Sequence, residues 1–397
     1  MGSHSQGLTA EKFPIDRAAA LSRRGFAVAA LGALLGGIAY TQNHEQFAFS
    51  WLFGFAVVFT LVAGAAFWNI LHHATDSEWS VLIRRQVENI ASIFPLLVVG
   101  FLPLLLLCAP ILWKWWNVPH GVDALLDNKE AFLNKPFFIV RAALYFCLLG
   151  LIVWTLRRHS CAQDSDGAPS HSFAMRKAAI AGLPIFAVSL TFAAVDWLMG
   201  LDYHWFSTMW GVYVFAGAAG SSMSLIVLVV SWLRKNGYLR AVNQEHYHTM
   251  GKFMLAFTVF WAYIGYSQYM LIWYANMPEE TIYFKIRNTE GWHILSTLLV
   301  AGRFFLPFPV LLFQATKKNV KLICGVAVWI ILMQVLDLYV VVLPVLHQTG
   351  PSFSVFDVSG LLAVGGLAFG LYFRNLGSAP VFPLRDPRLE GSVNLHN

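Results

Sequence analysis

Long apolar stretches recur along the chain, and short polar loops separate them. A helix crosses a hydrocarbon core of ~30 Å with about 20 residues, because each residue advances it by ~1.5 Å. Ten segments reach this length and are predicted to be transmembrane helices: 24–41, 48–71, 90–113, 136–156, 179–199, 207–233, 252–274, 291–314, 320–344 and 354–373. Lipid leaves unpaired backbone groups without partners, and no alternation typical of barrel strands occurs. The pattern therefore predicts an all-α polytopic membrane protein.

The composition agrees with this pattern. The 397 residues are 57% hydrophobic and 12% charged, whereas soluble domains carry about 25% charged residues. The net charge of +6 does not indicate nucleic-acid binding, because the basic residues lie in short loops and not in one patch. We therefore expect no nucleic-acid partner. The four cysteines form no CxxC or CxxCH motif, which excludes covalent haem c and a self-contained iron–sulfur site.

The distribution of basic residues predicts the orientation. Twenty lysines and arginines fall on the side that holds the N-terminus, against five on the other side. Cytoplasmic loops carry an excess of these residues, so both termini are predicted to be cytoplasmic. Arg23 and Arg24 precede the first segment as in a secretory signal, but no small-residue cleavage motif follows. We expect this first helix to be retained.

Segments two to nine show a weak internal repeat. The third helix of each set of four carries an arginine, Arg141 or Arg303, and the fourth carries an aspartate, Asp196 or Asp337. Parallel repeats of this kind are related by an axis along the membrane normal. We therefore predict two four-helix bundles in parallel repeat plus two extra helices. The predicted divisions are a cytoplasmic segment 1–23, a first helix 24–41, bundles at 48–199 and 207–344, a last helix 354–373 and a cytoplasmic tail 374–397.

Charged side chains inside the apolar segments are the first functional candidates. Each costs about 2.5–3.5 kcal/mol at the bilayer centre, so it normally faces the protein interior or water. Arg141 and Arg303 are candidates for structural ion pairs. Other titratable groups approach from the two faces, as expected of two half-channels for protons. The proton-path candidates are Asp196, Asp202, His204, Asp337, Tyr266, Arg303, His72, His73, Glu88 and His248.

Three other interpretations stay open. A quinol site near the outer face would use a histidine and an aspartate as proton acceptors. Its possible quinone contacts are Trp197, Trp205, Trp210 and Gln268, although such aromatic residues equally fit an interfacial belt. The chain could also be a purely structural scaffold, or a stand-alone transporter with helices broken at mid-membrane. No metal site is predicted, because no HExxH or comparable spacing occurs.

Three blocks of the sequence resemble a known family of membrane subunits: 196–218, 246–281 and 335–346. They are similar to the NrfD/polysulfide-reductase-like integral membrane subunits. More narrowly, they look like the ActF type found in bacterial alternative complex III, a quinol:electron-acceptor oxidoreductase. The resemblance implies ten helices, arranged as two four-helix bundles and two extra helices.

The resemblance also implies a hetero-oligomeric complex in the bacterial inner (cytoplasmic) membrane. Its partners would be a multihaem cytochrome c, an iron–sulfur protein, a mono-haem cytochrome c and a paralogous NrfD-like subunit, together with phospholipids. Haem c and iron–sulfur clusters would belong to those partners, and menaquinol would be the substrate of the complex. This chain would bind no cofactor alone and would conduct protons, coupled to menaquinol oxidation in the paralogue. Whether the chain is itself an enzyme stays open.

Overall fold

The computed structural model describes residues 11–289 and 291–396, and these ranges contain helices but no strand. Nine helices in these ranges are long and apolar enough to cross a membrane, and one more long helix, which is not among those nine, follows them. The ten are α1 Ile15–Gln42, α2 His44–Ala74, α3 Val81–Leu112, α4 Lys135–Asp166, α5 Pro169–Leu201, α6 Trp210–Lys235, α7 Gln244–Ala275, α8 Trp292–Leu312, α9 Val320–Val345 and α10 Asp357–Ser378. The chain is an all-α multi-pass membrane protein, as predicted.

Asparagine side chains begin four of these helices. Asn43, Asn134, Asn243 and Asn319 each precede a helix and accept hydrogen bonds from backbone N–H groups of its first turn. Those N–H groups have no partner within the helix, so an asparagine at this position stabilises the helix start. The starts of α2, α4, α7 and α9 therefore follow from local sequence.

Both ends of the described chain lie on the same side of the helices. The backbone N–H of Val381 donates to the carbonyl of Glu11 at 3.0 Å. We call this side the terminal face and the opposite side the far face. Two short helices, Ala124–Lys129 and Pro278–Arg287, lie in loops of the far face. A third, Leu389–Val393, lies at the terminal face.

Helix α2 lies at the centre of the molecule. It packs against α1, α3, α5, α6, α9 and α10, and 94% of its most apolar stretch is buried. Glycine allows α6 to approach it closely, because a Cβ at Gly64 would lie 2.2 Å from the carbonyl oxygen of Ala218. Since protein surrounds α2, the polar residues along it face other helices and not lipid.

Helices α1 and α10 form a close-packed pair. A Cβ at Gly32 would lie 2.2 Å from the backbone nitrogen of Ala363, and a Cβ at Gly366 would lie 2.5 Å from that of Ala29. Small residues permit such close contact between membrane helices, where packing and not hydrophobic burial drives association. The glycines of α10 therefore fix the position of the tenth predicted segment beside the first.

Two helices are irregular inside the membrane. Helix α3 becomes π-helical at Leu104–Cys108, directly after Pro103, and α8 is π-helical at Ala301–Phe305, shortly before Pro307. Proline lacks a backbone donor and disturbs the regular ladder around it. Arg303 lies within the π-helical stretch of α8 and is buried. The irregular turn therefore presents this arginine to the protein interior.

Four helices begin eight to ten residues before their predicted starts. The first begins at Ile15 and not at 24, the third at Val81 and not at 90, the fifth at Pro169 and not at 179, and the seventh at Gln244 and not at 252. Each added stretch contains charged or polar residues, so hydropathy does not reveal it. The stretch Val81–Ala91 is nevertheless buried along its whole length, because protein and not lipid covers it.

Gly32→Ala should destabilise the protein by about 1–3 kcal/mol, because its new Cβ would overlap the backbone of α10. Gly37→Ala is the matched control on the same helix, since a Cβ there meets nothing within 4 Å and alanine favours a helix more than glycine does. Thermal unfolding in detergent should show a lower midpoint for Gly32→Ala only. Equal midpoints would show that α1 and α10 are not close-packed.

Candidate functional site

The first buried ion pair joins α4 to α5. Arg141 Nε and Nη2 donate to the two carboxylate oxygens of Asp196 at 2.9 and 2.7 Å, and the Tyr145 hydroxyl donates to Asp196 at 2.8 Å. The Arg141 guanidinium lies 3.8 and 4.4 Å from the ring centroids of Phe132 and Phe137. Asp196 is 2% exposed. An arginine, a hydroxyl and aromatic rings therefore enclose this carboxylate.

The second buried ion pair joins α8 to α9. Arg303 Nη1 donates to Asp337 Oδ2 at 2.7 Å, and Trp261 Nε1 donates to the same oxygen at 3.2 Å. The Tyr213 hydroxyl donates to Asp337 Oδ1, and Arg303 Nη2 donates to Gln334 Oε1. Asp337 is 3% exposed. Side chains of three helices, α6, α7 and α8, therefore converge on the carboxylate of a fourth, α9.

Hydrogen bonds extend the second pair toward α2. Gln334 Nε2 donates to Thr60 Oγ1 at 3.3 Å, and Thr60 lies near the middle of α2. The guanidinium of the first pair instead donates to the carbonyl of Phe132 at 2.8 Å, in a loop at the far face. We call the following residues the middle cluster: Thr60, Tyr213, Trp261, Arg303, Gln334 and Asp337. Within the part of the chain that the structure describes, hydrogen bonds link only the Arg303–Asp337 pair to α2, and they do so through this cluster.

The two pairs occupy equivalent places in the two sets of four helices. Each joins the third helix of its set to the fourth, as the sequence repeat indicates. Removing one partner of a buried ion pair costs about 3–5 kcal/mol, because it leaves the other charge unpaired. At rest, neither aspartate is therefore a free carboxylate, and each is held in place by an arginine.

A third group of charges lies where α2 ends and α3 begins, at the terminal face. Arg85 Nη1 donates to Glu88 Oε2 at 3.1 Å, and Arg84 Nε lies 3.4 Å from Glu88 Oε1. His73 Nε2 lies 3.9 Å from the same carboxylate, and His72 is equally buried. We call the following residues the terminal cluster: His72, His73, Arg84, Arg85 and Glu88. It brings three of the predicted proton-path residues together.

The C-terminal tail, residues 379–396, covers the terminal cluster. Asp386 in this tail accepts hydrogen bonds from Arg84 at 2.5 Å and from Arg388 at 3.0 Å. Burial alone would raise the pKa of Asp386, but the charge of Arg84 and the hydrogen bond and charge of Arg388 outweigh this effect. The pKa of Asp386 therefore lies well below its usual range. The tail supplies the negative charge that the buried arginine requires.

Several buried polar atoms near α2 have no hydrogen-bond partner in the described ranges. They belong to His72, His73, Asn69 and Ser222. The Ser222 Cβ would lie 2.6 Å from a Cβ built at Gly64, about 6 Å along α2 from Thr60. This hydroxyl therefore lies between the middle and terminal clusters. Buried polar groups are nearly always paired, with internal water where protein offers no partner.

Asp202 and His204 lie in a loop at the far face. His204 Nε2 lies 3.1 Å from Asp123, and its Nδ1 lies 3.6 Å from Asp202. The Tyr203 hydroxyl donates to Asp123 at 2.9 Å, which lowers the pKa of Asp123. Burial and this hydrogen bond raise the pKa of Tyr203 to about 12. The loop therefore holds a partly exposed acid–base cluster that makes no contact with Asp196.

The predicted quinone contacts are all buried. Trp197, Trp205, Trp210 and Gln268 are each at most 6% exposed. Trp197 packs against Phe101 with ring centroids 4.7 Å apart, and Trp205 stacks on Tyr283 at 4.3 Å. A cavity of about 420 Å³ lies instead between α5 and α6, with an apolar lining apart from Thr191, and none of the predicted contacts lines it.

Two further proton-path candidates lie away from the clusters around α2. Tyr266 is 64% exposed on the outward face of α7, so it joins none of the buried clusters of this chain. At the terminal face, His248 Nδ1 lies 3.4 Å from Glu245, which Lys318 also contacts at 2.5 Å. His248 therefore belongs to a separate ionic group at the surface.

Comparison with known proteins does not identify the chain. No protein-family model matches the sequence, and no curated protein matches it. Among residues 11–289 and 291–396, no three histidine, cysteine, aspartate or glutamate side chains are arranged to hold a metal ion.

Asp386→Asn should destabilise the protein by about 3 kcal/mol at pH 7, because the buried Arg84 loses the closer of its two carboxylate partners. The folded-state pKa of Asp386 is lowered, so its contribution is complete above the unfolded value of about 4 and is lost as the pH falls below it. The stability difference from wild type, measured by thermal unfolding, should therefore shrink below about pH 4.

Asp76→Asn is the matched control for this substitution. Asp76 also contacts Arg388, at 3.0 Å, but its side chain is 39% exposed, and exposed ion pairs contribute less than about 1 kcal/mol. A loss for Asp386→Asn no larger than for Asp76→Asn would show that the tail does not stabilise the buried arginine.

Proposed function

We propose that the chain is a non-redox, proton-conducting subunit of a quinol oxidoreductase in the bacterial inner membrane. The buried titratable clusters around α2 support proton conduction, and the sequence resemblance to NrfD-like subunits supports the oxidoreductase. In this proposal a paralogous subunit oxidises menaquinol. Haem c and iron–sulfur clusters then belong to the cytochrome c and iron–sulfur partner chains.

The terminal face is the cytoplasmic face in this proposal. The excess of lysine and arginine on that side, twenty against five, supports the assignment. The terminal cluster then exchanges protons with the cytoplasm, and Asp337 exchanges them toward the outer phase.

One observation carries the proposal: unpartnered buried polar atoms lie between the two clusters. Ser222 beside α2 and Asn69 on α2 carry such atoms, and both lie between Thr60 and the terminal cluster. About 6 Å separates the levels of Thr60 and Ser222 along α2, and about 12 Å separates those of Ser222 and His72. Internal water that completes these hydrogen bonds would link the clusters into one proton route.

Within this route, Arg303 controls the state of Asp337. A proton on Asp337 removes the charge that attracts Arg303, and it leaves Tyr213 and Trp261 with a weaker acceptor. Arg303 then shifts toward Gln334, to which it already donates a hydrogen bond. Proton uptake and arginine position are therefore linked, as a gate between two half-channels requires.

The Arg141–Asp196 pair has a structural role in this proposal. Its carboxylate is enclosed by Arg141 and Tyr145, and its guanidinium is stacked between aromatic rings. Its hydrogen bonds lead to the Phe132 carbonyl and not toward α2. The pair therefore fixes α4 against α5 near the far face.

A structural scaffold is the second candidate function. The observation that favours it is that both intramembrane aspartates are paired with arginine. In that case the buried unpartnered atoms would lie in dry surroundings, and their removal would leave proton transfer unchanged.

Ser222→Ala and Thr60→Val should each lower proton translocation per electron by at least tenfold in the complex reconstituted in liposomes, because they remove hydroxyls from the route. Neither change introduces an unpaired charge, so subunit assembly should persist. The matched control is Ser221→Ala, whose hydroxyl is already bonded to the Gly217 carbonyl at 2.7 Å. We expect this control to translocate protons as wild type does.

The same measurement separates the two candidates. If quinol oxidation and proton translocation are normal in both Ser222→Ala and Thr60→Val, the chain is a scaffold. Normal oxidation with lost translocation in these two variants, and not in Ser221→Ala, supports the proton route.

A further inference from the structure

We propose that the outward face of α7 binds a transmembrane helix of another protein chain, and that this helix offers hydrogen-bond acceptors at the middle of the bilayer. We call this face the α7 seam. It consists of Lys252, Ala256, Val259, Tyr263, Tyr266, Met270 and Trp273, all of which are exposed. The proposal goes beyond the proton route and does not depend on it.

Exposed tyrosines are confined to this helix. The chain has 13 tyrosines, and the exposed ones in the described ranges are Tyr263, Tyr266, Tyr269 and Tyr274. The outward faces of α1, α4 and α5 carry aliphatic residues at equivalent exposure, for example Leu34, Leu151 and Val188. Aliphatic side chains need no polar partner in lipid. The α7 seam therefore differs in chemistry from the lipid-facing helices.

The depth of Tyr263 is unusual for a tyrosine that faces lipid. It lies midway between Lys252 and Tyr274, about 16 Å from each along the helix. The stretch 252–274 matches a hydrocarbon core of ~30 Å, and lipid-facing tyrosines normally lie at its two interfaces. Tyr263 thus lies at mid-membrane, and the hydroxyls of Tyr263 and Tyr266 bond to no other described residue.

A protein helix satisfies these hydroxyls, and a lipid chain does not. A hydroxyl in hydrocarbon without an acceptor is unfavourable. A helix that carries a carboxamide, carboxylate or hydroxyl side chain at this depth supplies the acceptor, and interhelical hydrogen bonds of this kind stabilise membrane helix pairs.

The shape of the seam also fits one partner helix. Successive residues of the seam are alternately four and three positions apart. This spacing places them in one stripe that a single neighbouring helix can cover. Ala256 allows close approach at the terminal end. The larger Met270 and Trp273 provide apolar contact toward the far face.

A photocrosslinking residue placed at Val259, in the full chain and its native membrane, tests the proposal. We expect an adduct with a different chain, mapped by mass spectrometry to a membrane helix with an acceptor side chain level with Tyr263 or Tyr266. The same residue at Leu151 on α4 is the control, and it should react with lipid.

The hydroxyls are tested in the same background. The yield of the adduct after dilution into detergent measures the association. Tyr263→Phe and Tyr266→Phe should each weaken this association about threefold, and the double substitution should weaken it about eightfold. Tyr274→Phe is the matched control, because water at the membrane surface satisfies its hydroxyl, and it should change nothing. Adducts with lipid only, adducts with a second copy of this chain, or yields insensitive to the double Phe substitution would each overturn the proposal.

Discussion

The pairing of buried charge is the constraint on which the interior of this protein depends. In a medium of low polarity, an arginine is tolerated where a carboxylate or backbone carbonyl groups accept its hydrogen bonds. Arg141 and Arg303 each meet this condition by joining two helices of one set. The same pairs that neutralise charge therefore also fix helix positions, since neither partner can move without exposing the other.

The constraint extends to the terminal face. Arg84 is fully buried at the start of α3, and Glu88 beside it also contacts Arg85. The chain provides a further carboxylate, Asp386, from a tail that follows the last membrane helix. This tail is thus part of the folded core, and it completes the ionic cluster that closes the terminal end of α2.

Hydropathy predicts the membrane helices well and polar contacts poorly, for a physical reason. Apolar length alone predicts ten helices, and the recurrence of arginine and aspartate indicates which helices carry the ion pairs. Thr60, Ser222 and Gln334 are missed, because single hydroxyl and amide groups in apolar segments resemble ordinary packing residues. Asp386 is missed because its partner lies about three hundred positions away, and only the fold brings them together. The outward position of Tyr266 is not predicted, because a helix has several faces and composition does not show which one points inward.

Equivalent positions in a repeat need not have equivalent roles. Each aspartate accepts hydrogen bonds from an arginine and from a tyrosine hydroxyl, so these contacts do not distinguish the roles of the two aspartates. Their surroundings can: Phe132 and Phe137 close off Arg141, whereas Gln334 connects Arg303 to Thr60 on the central helix. A proton moves only where polar groups follow one another at short intervals, and aromatic rings interrupt such a sequence. In the proposed proton route, the Arg141–Asp196 pair therefore holds α4 against α5, while the Arg303–Asp337 pair, beside α2, takes part in proton transfer.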